Sequence, residues 1–510
     1  MFLVITIRFL IGYFCSVKQL LLFILAFAAL TSCKKRNLGF EEEGSLEFSK
    51  TTVLFDTVFT GIGSATEFIK VYNPHDKGIS IASVSLEGLA GKSYRFNLDG
   101  FPGDQRDIVI PAKDSLFLFT EVTIDANNTF NPFFVEDNII FITNGVEQKV
   151  KLTAYGQNAY YYRPNRSIEG LPAFSNVSSY LTDQLASLEV NWKNDKPHVI
   201  YGYLLVDSLL TLNIEAGTQI HFHAGAGLWV YRGASLNVNG ELGNEVVFQG
   251  DRLESEFEDV AGQWDRIWIN TGAASTIKYA HIKNGFVGLQ VEPLPFDELQ
   301  DVVPEKVTVQ KTTISNMAGI GVFLRNANFE MENSQVYNMG NYNVAITGGG
   351  TMSFLNSTLA NYWSTNREDP MLFISNRYST GGSTEEAVDL NLRFGNTIIY
   401  GSKEEELELD SSTTANYNVL FDHCVIRTEL VTSNTNRYKA CIINPSDVIV
   451  GNNSFLPVYK NQNDKDFSLF RQSVAVDKGS IEIVNLLQEK TDLKESVRDS
   501  KPDIGAFEFN

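Results

Sequence analysis

The chain has 510 residues, 43% of them hydrophobic and 12% aromatic, and a formal charge of −20 at neutral pH. That length exceeds one small core and that apolar content excludes wholesale disorder, so two or more folded domains are expected. The acidity excludes nucleic acid as a partner, since phosphates demand a basic surface, and disfavours adsorption to an anionic membrane through charge alone.

At the N-terminus, Lys18 precedes the apolar run LLLFILAFAALTSC, which ends in Leu30-Thr31-Ser32-Cys33. A basic residue, a short apolar segment and small residues before a cut describe a secretory signal. The stretch resembles the lipobox of bacterial lipoproteins. That resemblance implies that residues 1–32 are a signal peptide and that Cys33 is the acylated first residue of an outer-membrane lipoprotein, with the periplasmic and the cell-surface leaflet both open. An uncleaved transmembrane anchor is the alternative, because residues 1–30 are apolar enough to span a bilayer. Cleavage removes Arg8 and Lys18, taking the charge from −20 to −22, and removes Cys15. With Cys33 consumed by lipid, only Cys424 and Cys441 remain, so this is no disulfide-built scaffold even though export permits bridges.

Residues 33–44, with KKRNLGFEEEG, read as a polar tether. From Ser45 the pattern becomes short alternating strands. In TEFIKVYNPHDKG, Phe68, Lys70 and Tyr72 fall on one side and Ile69 and Val71 on the other, before a turn at Asn73-Pro74. ISIASVSLEG, DIVIPAKDSLFLFTEVTID, NIIFITNG and QKVKLTAYG continue the pattern, which predicts an antiparallel β-sandwich of roughly one hundred residues. These pieces, over residues 45–158, resemble the Hydin-type immunoglobulin-like domain, which implies a spacer or interaction module. Residues 159–196, with YYYRPNRS and Trp192, read as a linker and cap.

The remainder, residues 197–510, repeats. Asn316, Asn338 and Asn361 recur at steps of 22 and 23 residues, each two after an apolar residue (Ile314, Val336, Leu359), with Thr312, Ser334 and Ser357 two further back. Val322 and Leu324 recur as Val344 and Ile346, and Phe329 and Met331 as Met352 and Phe354. Ile282-x-Asn284 anticipates the first motif, and Thr397, Ile399 and Gly401 follow it. Three short strands per repeat suit a right-handed parallel β-helix, in which stacked coils bury a face that no single repeat can bury. Asn fits the corner because it tolerates the left-handed conformation and its amide bonds to the Asn above. Earlier, Leu212/Ile214 and Leu236/Val238 occupy equivalent inward places one coil apart. LNIEAGTQIHF, GASLNVNG, VVFQGDR and GQWDRIWI resemble the pectin-lyase-like β-helices of secreted bacterial proteins. DFSLFRQSVAVDKGS and PDIGAFEF resemble the closing segment of the choice-of-anchor class, which implies a C-terminal cap with Asp477, Gly479, Asp503 and Gly505 as turn and cap residues.

Chemistry is sparse along this chain. Hydrolases of the fold need paired carboxylates, one protonated and one ionised, and the NTD, Asp-pair, GHG and RIK signatures are missing. Lyases need an Arg or Lys base, often beside calcium ligands; Arg266 and Arg325 lie in the helix without a matching outward carboxylate cluster. His221 and His223 share one side of a strand but have no evident third metal ligand. The acidic loops PFDELQD and SKEEELELD are the calcium candidates, yet neither spaces its ligands around a Gly, so both read as solvated insertions. ITGGGTM lacks the Lys and Ser/Thr of a phosphate loop and falls at a corner. Cys424 continues the small inward column of Thr312, Ser334, Ser357 and Thr397, and geometry decides whether Cys441 can bridge to it.

An all-β, lipid-anchored envelope protein results, more a binder than an enzyme, with polysaccharide as the leading ligand. An enzyme cleaving polysaccharide and a purely adhesive protein are the rivals. The expected ligand-binding residues are Trp229, Tyr231, Arg266 and Trp268. Alternation in GLWVY and RIWI turns all four outward, and the 39-residue interval stacks the two indoles on adjacent strands as a platform for sugar rings. Folding back of the charged excursion 250–263 over both rings is the alternative.

Overall fold

The computed structural model describes residues 39–88, 93–126, 133–180, 188–294, 305–365, 367–379, 385–450, 453–455 and 457–509. The signal segment, Cys33 and the loop PFDELQD fall outside these residues. The chain divides into two compact units, Met1–Gly156 and Gln157–Asn510.

In the first unit the alternating strands pair into two five-stranded antiparallel sheets. One orders Glu47–Phe48, Glu67–Tyr72, Ser115–Val122, Tyr94–Leu98 and Phe101–Pro102; the other orders Thr52–Phe59, Val146–Gln157, Phe133–Thr143, Ile79–Leu86 and Gln105–Ile110. Ile69, Val71, Leu118, Phe141, Val150 and Leu152 fill the core of this sandwich. Asn144 and Gly145, with φ of 53° and 75°, make the tight turn between its two longest strands, a conformation that the Asn-Gly pair adopts at little steric cost.

The second unit is a right-handed parallel β-helix whose coils contribute to three parallel sheets of eleven, nine and ten strands. The first sheet runs from Tyr160–Tyr162 to Ile442–Ile443, the second from Phe174–Asn176 to Leu407–Asp410, and the third from Glu189–Trp192 to Tyr438–Lys439. The expected columns are in register: Ile314, Val336 and Leu359 stack, as do Leu212 on Leu236 and Ile214 on Val238. Val322 pairs with Val344, and Met331 with Phe354. Within the core, Phe354, Phe394, Phe421 and Tyr438 form a continuous ring stack, with centroids 4.9, 5.2 and 5.3 Å apart. The first coil already lies within residues 160–192, the stretch expected as linker and cap, because its strands of three or four residues are too short to display a period.

The corners obey a more regular rule than the Asn column alone. Between the third and first sheets one residue per coil is left-handed from Ser275–Lys278 onward: Tyr279, Lys311, Asn333, Asn356, Asn396, His423 and Ala440, all with φ between 45° and 54°. The next residue is small and faces inward. Its side chain donates back across the turn to the carbonyl two residues earlier: Thr312 to Gln310 (2.9 Å), Ser334 to Glu332 (2.7 Å), Ser357 to Leu355 (3.0 Å) and Thr397 to Gly395 (2.9 Å). The same hydroxyls tie coils together, since Ser334 Oγ accepts from the Thr312 amide and Thr397 Oγ1 donates to the Phe354 carbonyl. Asn284, Asn316 and Asn338 form the second left-handed column, with the expected amide ladder from Asn316 to Asn284 at 2.8 Å. Asn361 departs from it: it is not left-handed, and its buried amide donates to Met339 O and Asn343 Oδ1.

The C-terminal segment lies along the side of the solenoid rather than across its end. It descends the third-to-first corner from Ser480, bonded to Asn396, to Glu489 and Glu495, which hold the buried Lys311 at 2.9 and 2.7 Å. It then returns through Arg498, whose guanidinium donates to Asn333, to Gly505, whose amide donates to Asn396 O. Asp503 accepts the amides of Asp477 and Phe509, and Gly505 is left-handed with φ 110°, so the expected turn residues do close turns.

Ser334→Ala leaves the Glu332 carbonyl and the Thr312 amide without their shared hydroxyl in a dry interior. A loss of roughly 1–3 kcal/mol is expected in urea denaturation, with Ser334→Thr close to wild type because Thr fills the same column at 312 and 397.

Candidate functional site

The three sheets present three outer faces, and two of them are covered among the described residues. On the first sheet Ala360, Ile398, Tyr400 and Val425 pack under Val458, Tyr459, Phe467 and Leu469 from the segment after the last coil. On the second sheet lie the four residues expected to bind sugar. Trp229 stands beside Trp268 in register, with rings 4.9 Å apart and 13° from parallel. The pair is not an open platform. Trp229 is 2% exposed, packed with Phe174, Tyr203, Leu205 and Leu294, while Tyr231 and Trp268 are half-buried against the same cluster. The covering atoms come from the first two coils and from Leu294, just after Gly285–Glu292, not from the charged excursion. Both indole N–H groups are taken, by Asn270 (2.6 Å) and Glu292 (3.0 Å), and Arg266 is engaged by Asp265 and Gln290. These are wall residues. Arg325 likewise pairs with Glu292.

The histidines are separated by the structure. His221 is buried, with Nδ1 donating to Gly250 O at 3.0 Å, while exposed His223 lies 2.7 Å from Asp251. SKEEELELD is not a solvated insertion. Its Glu406 is fully buried, held by both Nη2 contacts of Arg367 at 2.7 Å and by the amides of Met371 and Lys403, and Leu407–Asp410 is the last strand of the second sheet. ITGGGTM does fall at a corner, with Gly348 and Gly350 at φ of 79° and 123°.

The third sheet carries a groove of about 710 Å³. Inward Leu392, Phe394, Val419 and Phe421 leave Asn391, Arg393, Asn418 and Leu420 facing out on neighbouring strands, and the loop before Tyr438–Lys439 adds Asn434, Asn436 and Arg437. Asn418 donates to Asn391 at 2.9 Å, repeating on this face the ladder of Asn237 on Asn213 (3.0 Å) and Asn213 on Asn191 (3.0 Å). Arg393 donates to Asp422 at 2.8 Å. Burial alone would raise the Asp422 carboxyl, but hydrogen bonds from His423, Lys439 and Arg393 hold it below its usual range, so it stays ionised and fixes the guanidinium. Arg393 Nε is buried with no partner among the described residues. Arg437 lies over the Tyr417 ring at 5.5 Å, and its guanidinium makes no ion pair or hydrogen bond among the described residues. Glu330 is the one carboxylate lining the groove among them, and Lys306 neutralises it at 3.0 Å.

Sequence reasoning passed over Arg393 and Arg437. In NLRFGNT the apolar alternation does turn Asn391 and Arg393 outward, so that signal was present; Arg437 sits on a loop where alternation is silent.

No family model matches the chain, and no curated protein matches it. Among solved structures, the Agl-KA catalytic domain aligns with a TM-score of 0.28 and 10% identity, covering 70% of this chain and 75% of that one. The catalytic domain of a GH87 alpha-1,3-glucanase variant in complex with nigerose aligns at 0.25 and 11% identity, covering 70% and 81%. A family 123 glycoside hydrolase from Clostridium perfringens aligns at 0.18 and 7% identity over 23% of this chain, which spans 30% of that protein's length. Likenesses at these scores carry nothing about activity, so the groove is read on its own residues.

Two buried rings make stability depend on pH. Desolvation pushes both His198 and His221 down to about 4, so the unfolded chain, titrating near 6.5, binds protons first. Stability is therefore full above pH 6.5 and falls as the pH drops from there towards 4. Denaturation midpoints across that window should decline, and His221→Asn, which keeps a donor for Gly250 O, should flatten part of the decline.

Proposed function

We propose that the chain is a lipid-anchored cell-envelope protein that binds an anionic polysaccharide in the groove of the third sheet. The observation that carries this reading is the charge and donor balance of the groove: two guanidiniums, one of them unpaired, and a row of Asn amides against a single neutralised carboxylate. A protein of net charge −20 otherwise repels polyanions, so a local cationic groove is selective. Its volume of about 710 Å³ lies within the roughly 300–1,000 Å³ of small-molecule sites. Strands spaced ~4.8 Å apart offer the same donors at regular steps, which suits a polymer with a regular repeat. Guanidinium forks hold carboxylate or sulfate oxygens in two parallel hydrogen bonds, and Asn amides serve hydroxyls.

Binding is favoured over cleavage because glycoside hydrolysis needs two carboxylates roughly 5–9.5 Å apart, and Glu330 has no carboxylate partner lining the groove among the described residues. The anchor rests on the apolar run before Leu30-Thr31-Ser32-Cys33, and acyl chains on that Cys supply durable membrane attachment.

A glycan array followed by calorimetry separates the readings. Uronic-acid or sulfated polymers should bind, added salt should weaken them, and Arg437→Ala should lower affinity about tenfold or more at unchanged melting temperature. Binding of neutral glycans alone, or an unaffected Arg437→Ala variant, overturns the assignment of the groove; release of new reducing ends or unsaturated products makes the groove catalytic instead.

The anchor is tested apart from the groove. Cys33→Ala should leave the protein unprocessed or release it from membranes, whereas normal processing and lipid labelling of that variant would sink the idea.

A further inference from the structure

Cys424 and Cys441 occupy successive rungs of the small inward column at the third-to-first corner, each directly after a left-handed residue, His423 (φ 54°) or Ala440 (φ 50°). Val425 pairs with Ile442 and Ile426 with Ile443 in parallel register, so the two Cys lie side by side on adjacent coils. One strand spacing, ~4.8 Å, falls inside the 4.4–6.8 Å window of Cα separations that disulfides span. Both are free thiols.

The corner does not require sulfur. Cys424 Sγ reaches Asp422 O at 3.6 Å and Cys441 Sγ reaches Lys439 O at 3.5 Å, the same backward bonds that Thr312, Ser334, Ser357 and Thr397 make at 2.7–3.0 Å with oxygen. A thiol is a weak donor, so Ser or Thr would serve the turn better. Sulfur appears at two neighbouring rungs, and these are the last two: Ile442–Ile443 ends the first sheet, where a coil has a neighbour on one side only. Between the two Cys run residues 425–440, which carry Asn434, Asn436 and Arg437 of the groove.

We infer that Cys424 and Cys441 form a redox-sensitive disulfide that clamps the last coil and the loop of residues 425–440. The co-reactant is a disulfide donor, R–S–S–R, of the glutathione or dithiol-oxidoreductase class. Cys441, half-buried and therefore the reachable thiol, attacks as thiolate on one donor sulfur and expels R–S⁻. Buried Cys424 then loses its proton and attacks Cys441 Sγ, expelling the second R–S⁻. The two protons given up by the cysteines end on the two R–S⁻ groups, so the donor is reduced to two thiols as the pair is oxidised. The neighbouring Cys424 thiol holds the attacking Cys441 thiol below its ordinary pKa, and burial pushes the resolving Cys424 thiol up, which fits this order.

The test oxidises the purified, fully reduced chain with oxidised glutathione, followed by peptide mapping and melting. The expected result is one cross-linked peptide pair containing Cys424 and Cys441, lighter by two hydrogens, and a melting temperature higher by about 5 °C that dithiothreitol reverses. Cys424→Ser and Cys441→Ser should each abolish the cross-link and the shift while melting like the reduced wild type, because Ser fills this column at 334 and 357. Recovery of both cysteines alkylated, or of Cys441 only as a mixed disulfide with glutathione, overturns the inference. Glycan affinity plays no part in this readout, so the groove and the bridge stand or fall separately.

Discussion

From the strand Ser275–Lys278 onward, each coil of the solenoid turns from its third sheet to its first within one or two residues, and it does so by putting the first of them in the left-handed region. An L-residue other than Gly, Asn or Asp is about 1–2 kcal/mol less stable there, and a turn this tight leaves a carbonyl facing the interior. The side chain that follows answers the second difficulty. A Ser or Thr hydroxyl reaches back to the carbonyl two residues earlier, and its lone pairs remain free for the amide of the neighbouring coil. One small inward residue thus satisfies its own turn and joins it to the next. A coil whose hydroxyl missed this place would bury an unpaired backbone group, so the corner is kept even where the coil between corners lengthens, as from Asn356 to Asn396.

Once the corner is fixed, the rest of the wall has little freedom. Registration at the corner sets which residues stack, so Phe354, Phe394, Phe421 and Tyr438 meet face to face inside while the alternate positions meet water. Two corner positions that lack Asn, Tyr279 and Lys311, are held from outside. Lys311 is left-handed and 2% exposed, and it is tolerated because Glu489, Glu495 and Thr491 of the returning C-terminal segment surround its ammonium. Arg498, also buried, reaches Asn333 from the same segment. The ion pair of Arg367 with Glu406 belongs to the same economy of charge. Both groups are buried, and desolvation raises the Glu406 carboxyl despite the guanidinium, so removing either partner alone would strand a charge at a cost of about 3–5 kcal/mol.

How much of this could be read from the residues depended on whether a feature lies along the coil or across it. Inward columns were legible because their period is set by a strand and a step. The register of Trp229 on Trp268 was legible for the same reason. Their burial was not, since it comes from Phe174 and Leu294, whose approach follows no period. The corner column was half legible: Asn precedes the small residue at 333, 356 and 396, but Tyr279, Lys311, His423 and Ala440 break the pattern, and of these Tyr279 and Lys311 are held by Glu495 of the returning segment. SKEEELELD was misread because a run of three glutamates looks solvated until Arg367 is brought against Glu406 from 39 positions away.

The location of the groove is a consequence of what the rest of the chain covers. Segments after the last coil lie on the outer face of the first sheet, and the first two coils and Leu294 cover the aromatic part of the second. The returning segment follows the third-to-first corner and reaches the third sheet only at its edge, where Leu486 lines the groove. What remains open is a face of mixed lining, where alternation places Asn418 on Asn391 and turns Arg393 and Leu420 outward, with Arg437 beside them on its loop. A guanidinium held by ionised Asp422 has its direction set before any ligand arrives, so less rotamer entropy is lost on binding, whereas Arg437 has only a ring beneath it. In the proposed binding mode the two arginines would divide the work, Arg393 fixing direction and Arg437 supplying the unneutralised charge.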